Sequence, residues 1–172
     1  MSSNKTQDTT AATDEALVIE RIFDAPRELV WKVWTEPERM MRWWGPTGYT
    51  TPVCKIDFRV GGTFLNCMRS PEGQDIWSKG VYREIVEPER IVCTDSFADE
   101  NGNVVPATHY GMPESIPLEM MISVRFEDAN GKTKMTLRHA GLPVGEMIDG
   151  ANQGWNESFD KLAAELATPG GA

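Results

Sequence analysis

The sequence predicts an α+β fold: a curved antiparallel sheet of seven strands wraps one long C-terminal helix, with two short helices after the first strand. Three observations predict it. Strand-like segments between Thr51 and His139 follow one another without a long intervening helix, divided by Gly, Pro, Asn and Asp turns. Several of them alternate cleanly between apolar and polar residues, as a sheet buried on one face requires. The chain then closes on residues 144–167, where apolar residues recur at steps of three and four, the period of an amphipathic helix.

The first strand covers residues 16–23, where Leu17, Ile19 and Arg21 alternate with Val18, Glu20 and Ile22. Asp24-Ala25-Pro26 reads as a helix start, with Asp24 capping free amide groups and Pro26 in the first turn. Leu29, Val30, Val33 and Trp34 fall at helical spacing, so a short helix is predicted over 26–35. Pro37 breaks it, and 38–43 supplies a second short helix before the turn Gly45-Pro46-Thr47-Gly48. Strands follow over 51–60, 63–69, 76–86 and 90–97, divided by Gly61-Gly62, Pro71-Glu72-Gly73 and Glu87-Pro88-Glu89. Residues 98–117 form the longest irregular stretch, and long loops in compact domains often cover binding sites.

Two further strands, 118–126 and 132–139, complete the sheet. Leu118, Met120, Ile122, Val124 and Phe126 share one face of the first; Met135, Leu137 and His139 share one face of the second. In the final helix Ile148, Ala151, Trp155, Phe159, Leu162 and Leu166 make one apolar stripe, with Trp155 at the centre of the helix–sheet contact. Gly150 and Gly154 weaken this helix by roughly 1 kcal/mol each relative to Ala. Their expected use is close approach to a strand, or space for a ligand. Residues 1–15 read as a polar disordered tail, 16–168 as one domain and 169–172 as a frayed end.

Composition excludes some functions. The chain has 17 basic against 26 acidic residues, a formal charge of −9, and its Lys and Arg are scattered singly. Binding to nucleic-acid phosphates is therefore not expected. The polar N-terminus has no apolar signal core and no segment is long and apolar enough to span a bilayer, so a cytoplasmic location is expected. Cys54, Cys67 and Cys93 form no CxxC and cannot all pair, which points to buried reduced thiols. His109 and His139 are the only histidines, and neither a metal site nor a cofactor is expected.

Several segments carry a family resemblance. They begin with Val18-Ile19-Glu20-Arg21-Ile22-Phe23-Asp24-Ala25-Pro26, then Val30-Trp31, Trp43-Trp44 and Asp57-Phe58-Arg59-Val60-Gly61-Gly62. The run Gly80-Val81-Tyr82-Arg83-Glu84-Ile85-Val86-Glu87-Pro88-Glu89-Arg90-Ile91-Val92 follows. Thr136-Leu137-Arg138-His139-Ala140-Gly141-Leu142, then Gly154-Trp155 near Phe159-Asp160-Lys161-Leu162, close the series. In this order they resemble the activator of heat-shock protein 90 ATPase homologue-like family, within the helix-grip (SRPBCC, START-like) superfamily. The resemblance implies a seven-stranded sheet gripping the C-terminal helix, with a ligand cavity between them. It implies no particular reaction.

Within that frame Phe64, Met68, Met120, Ile122, Met135, Trp155 and Phe159 are the expected cavity lining, large and pliable side chains turned toward the helix. Of Trp43 and Trp44, one is expected to pack in the core and the other to cap the cavity mouth. His139 shares its face with Met135 and Leu137, and Asp95 shares its own with Cys93 and Phe97, so both are candidates for polar groups in the cavity. Of Tyr82 and Arg83 one faces inward, and the solvated face suits Arg83. His109, Tyr110 and Met112 in the long loop are candidates for a lid or a dimer contact.

The expected function is binding of a small apolar or amphipathic molecule, without evident catalysis. One alternative is an enzyme of the polyketide cyclase or aromatase type, using His139, Asp95 or Tyr82 as acid–base groups. The other is a chaperone-linked, heat-shock protein 90 regulator-like module of the stress response, whose acidic surface meets a basic partner. Exposed sheet edges permit a homodimer. The sequence contains no nucleophile elbow, phosphate loop or adjacent carboxylate pair.

Overall fold

A computed structural model describes residues 16–143 and 145–167. The expected tail over 1–15, the helix start at Val144 and the frayed end at 169–172 lie outside the described residues. Seven strands form one antiparallel sheet: β1 (Ala16–Phe23), β2 (Thr50–Ile56), β3 (Thr63–Arg69), β4 (Asp75–Val86), β5 (Arg90–Ala98), β6 (Met120–Ala129) and β7 (Lys132–Ala140). Two short helices, α1 (Arg27–Thr35) and α2 (Pro37–Met40), separate β1 from β2, and α3 (Glu146–Ala167) follows β7.

The spatial order is β1-β7-β6-β5-β4-β3-β2. Strands β2 to β7 form a meander of hairpins, while β1 lies against β7 with Ala16 opposite Ala140 and Phe23 opposite Thr133. The segment with α1 and α2 therefore carries the chain from one edge of the sheet to the other. Alternation is strict where the sequence showed it. On β6 Met120, Ile122, Val124 and Phe126 are buried, while Met121, Arg125 and Glu127 face out. On β4 Tyr82 is buried and Arg83 exposed.

Three differences from expectation have a clear local reason. The strand predicted over 51–60 stops at Ile56, because Phe58 folds back to pack edge-on against Trp31 and Tyr82, with centroids 5.7 and 5.0 Å apart. Gly61, at φ +87°, closes the resulting turn. Asp24 does not cap α1: Ala25 N–H bonds back to the Phe23 carbonyl, and Pro26 takes the N-cap position. Leu118 does not join the apolar face of β6, which begins at Met120, and it is exposed.

The core fills one half of the concave face with rings. Trp34 has the rings of Trp43, Trp44, Phe126, Phe159 and Trp155 all within 6.4 Å of its own. Trp43 is fully buried, and its indole N–H donates to the Val33 carbonyl at 2.8 Å. Polar contacts fasten α3 across this half. Arg21 of β1 donates to Asp160 at 2.9 Å, and Lys161 reaches the carbonyl oxygens of Pro46 and Tyr49 at 3.2 and 3.3 Å.

One glycine is fixed by close approach. A Cβ at Gly80 would lie 2.1 Å from the Thr94 carbonyl oxygen and 2.2 Å from the Phe64 ring. Backbone on one side and a buried ring on the other leave no room to yield. Gly80→Ala is expected to cost about 3 kcal/mol of stability. An unchanged urea midpoint would show that β4 and β5 can part there without penalty.

Candidate functional site

Beside this ring-filled half, α3 changes character. Its first turns carry Gly150, Ala151 and Gly154 in place of large side chains, and a Cβ at Gly150 would meet nothing within 4 Å. A cavity of about 330 Å³ opens there between helix and strands. Met68 of β3, Ile76 and Ser78 of β4, Asp95 and Phe97 of β5, Met120 of β6 and His139 of β7 form its sheet wall. Met147, Trp155 and Ser158 complete the helix wall. Trp44, Gly45 and Pro46 border one side; Met112, Ile116 and Leu142 border the other. The lining is overwhelmingly apolar.

The structure thus brings together Trp44, Met68, Asp95, Met112, Met120, His139 and Trp155 from the sequence expectations. Others lie elsewhere. Trp43, Met135 and Phe159 are fully enclosed by the ring-filled half and do not reach the cavity. Phe64 and Ile122 face a separate void of about 30 Å³, shared with Asn66, whose buried amide has no partner among the described residues. His109 is exposed, with its ring edge-on to Tyr110 at 4.8 Å. Tyr110 accepts the Trp77 N–H at 3.1 Å and donates to the Ala98 carbonyl, which pins the loop to the sheet. Of the three candidate lid residues only Met112 lines the cavity.

Three polar groups meet at the wall. The Trp155 indole N–H donates to His139 Nδ1 at 3.1 Å, and His139 Nε2 lies 3.5 Å from Asp95 Oδ2. An indole can only donate, so Nδ1 is the lone-pair nitrogen and the neutral ring carries its proton on Nε2, toward Asp95. Burial drives both groups away from charge. The His139 imidazole is lowered to about 4, and the Asp95 carboxyl is raised to about 6.

These shifts oppose each other in stability. Between about pH 6.5 and 4 the unfolded chain takes up a proton on His139 that the folded chain refuses, so this residue's contribution is lost on acidification. Between about pH 4 and 6 the folded chain holds a proton on Asp95 that the unfolded chain releases, so that contribution is lost as pH rises. Relative to the parent protein, Asp95→Asn is expected to steepen the loss of stability from pH 6.5 to 4.5. His139→Gln is expected to steepen the loss from pH 4.5 to 6.5. Urea melts at the two pH values check both, and parallel curves for all three proteins would sink the assignment.

Other groups offer little chemistry. Burial pushes the Cys54 thiol up to about 12 and raises Cys93 and Tyr82 as well, so none is an activated nucleophile. Among the described residues no three His, Cys, Asp or Glu side chains are grouped to hold a metal ion. No described helix is long and apolar enough to cross a membrane.

A curved antiparallel sheet closed over a C-terminal helix, with a cavity under the helix's first turns, defines a protein of the helix-grip class. The sequence profile of Activator of Hsp90 ATPase homolog 1-like proteins matches residues 24–167, and the chain belongs to that family. Solved structures with the same fold include a protein of Chromobacterium violaceum, 25% identical with a TM-score of 0.72, covering 89% of this chain and 97% of that one. An Arthrobacter aurescens protein is 26% identical with a TM-score of 0.70, covering 90% and 88%. The AHSA1 protein of Silicibacter pomeroyi is 25% identical, also at 0.70, covering 88% and 97%. A comparison with curated proteins found no match.

Proposed function

We propose that this protein binds a small, mainly apolar molecule in the cavity beneath the start of α3, with Asp95 and His139 addressing its polar end. The observation that carries this reading is the cavity itself. About 330 Å³ is the size of a small-molecule site, and an apolar wall with one convergent polar group is the usual composition of such sites. The methionines at 68, 112, 120 and 147 give that wall a pliable surface. Native mass spectrometry of protein purified from its own host, followed by titration with an apolar fluorescent probe, tests the reading. The expected result is a bound small molecule, or saturable probe uptake at one per chain. Protein that is empty and takes up no probe would end it.

A second reading, a cyclase- or aromatase-type enzyme, draws on the same polar pair. A carboxyl raised to about 6 beside a neutral imidazole can exchange a proton near neutral pH, as acid–base catalysis requires. Turnover separates the two. A molecule that the parent protein releases chemically changed, and Asp95→Asn releases unchanged, marks an enzyme.

A further inference from the structure

The polar end of the cavity is asymmetric in charge. Asp95 is the one acidic or basic side chain among the described residues of its wall apart from His139. His139 cannot serve as its cation while Trp155 holds it. Protonating Nδ1 would set an N–H against the indole N–H, two donors facing each other with no acceptor between them. Among the described residues, the other elements around Asp95 bring no charge. Strand β4 contributes Ser78, β6 contributes Met120, which lies opposite Asp95 in register, and α3 contributes Trp155 and Ser158. On its own strand the Cys93 thiol is kept protonated by burial. The described residues therefore turn a carboxylate toward an apolar chamber and supply no counter-charge. An ionised group so placed calls for a partner of opposite sign.

Building on the cavity-binding reading, we infer that the ligand is a lipophilic amine, whose ammonium group pairs with Asp95 while its apolar body fills the space between β3–β7 and the first turns of α3. The neutral His139 ring, with Nε2 3.5 Å from the carboxylate, adds no positive charge to it. An anionic amphiphile, such as a fatty acid, meets a like charge at Asp95. A neutral alcohol gains the apolar contacts but not the ion pair. The preference depends on Asp95 being ionised. Its carboxyl, raised to about 6, keeps the charge at pH 7.5 and loses it at pH 5, whereas an alkyl ammonium with a pKa of about 10 stays charged at both.

The test uses three probes with one tail: octylamine, octanol and octanoate, titrated calorimetrically into the full chain. At pH 7.5 octylamine is expected to bind at least about tenfold more tightly than octanol, with octanoate weakest; a tenfold preference corresponds to about 1.4 kcal/mol. Asp95→Asn is expected to bring octylamine to the affinity of octanol, and so is lowering the parent protein to pH 5. The pH arm stands even where the variant does not fold. Equal binding of all three probes at pH 7.5 overturns the amine assignment and leaves the cavity reading intact. An amine preference that survives both Asp95→Asn and pH 5 removes Asp95 as its source, and with it the inference. Binding of none of the three overturns the inference and the cavity reading together.

Discussion

Phe159→Ala is expected to lower the unfolding free energy by about 3–5 kcal/mol, the range for deleting a fully enclosed aromatic side chain. Phe159 is fully buried, and its ring meets those of Phe23, Trp34, Trp43 and Trp155 at 6.4, 6.2, 6.2 and 5.5 Å. Removing it empties the point where β1, α1, the α2–β2 connection and α3 converge. The apolar stripe puts Trp155, one turn earlier, at this central place. That residue is half-buried and forms cavity wall, so Trp155→Ala removes less enclosed contact and is expected to cost less than Phe159→Ala. Urea denaturation of both variants ranks them, and the reverse order would show that the helix is anchored at its cavity end.

The second large effect lies at Gly150, where stability and binding should move in opposite directions. Gly150→Ala adds a methyl group to open space and removes the helix penalty of glycine, a gain of roughly 1 kcal/mol. Gly150→Phe keeps most of the propensity gain but sends a ring into the chamber that the ligand needs. It is expected to weaken probe binding by at least about tenfold, or about 1.4 kcal/mol, without lowering the melting temperature. Full binding by the Phe variant would place the ligand somewhere other than beneath the first turns of α3.

These two residues also show how far sequence reasoning reaches. Alternation assigned Phe64, Met120, Ile122, Met135 and His139 to the helix-facing side of their strands, and all five are buried there. Alternation says which face a side chain takes, but not which end of that face is filled. The filled end is set by Trp31, Trp34 and Trp43 arriving from the segment between β1 and β2, and by the rings of α3 meeting them. The open end is set by Gly150, Ala151 and Gly154, which the sequence marked as weak helix but left between two uses. Ile116 and Leu142 flank predicted elements, and Met147 lies inside the predicted helix but outside the stripe that begins at Ile148, so no period singled them out. The contact of Asp95 and His139 joins strands separated by β6, with Trp155 added from α3; it rests on register and helix placement, which no local pattern encodes.

The place of β1 has a consequence for the newborn chain. The first strand finds its partner only in the last, since Ala16 lies opposite Ala140. During synthesis at roughly 5–20 residues per second, β1 therefore waits on the order of ten seconds for β7 to be made. Through that interval its backbone groups form an unpaired edge and Val18 and Ile22 stand beside it, solvent-exposed even in the finished fold. Closing so long a loop is entropically costly before any contact rewards it, so the final docking of β1 is expected to be late and slow. The most vulnerable moment for this protein is thus its own translation, when a neighbouring nascent copy could offer β1 a β7 that is not its own.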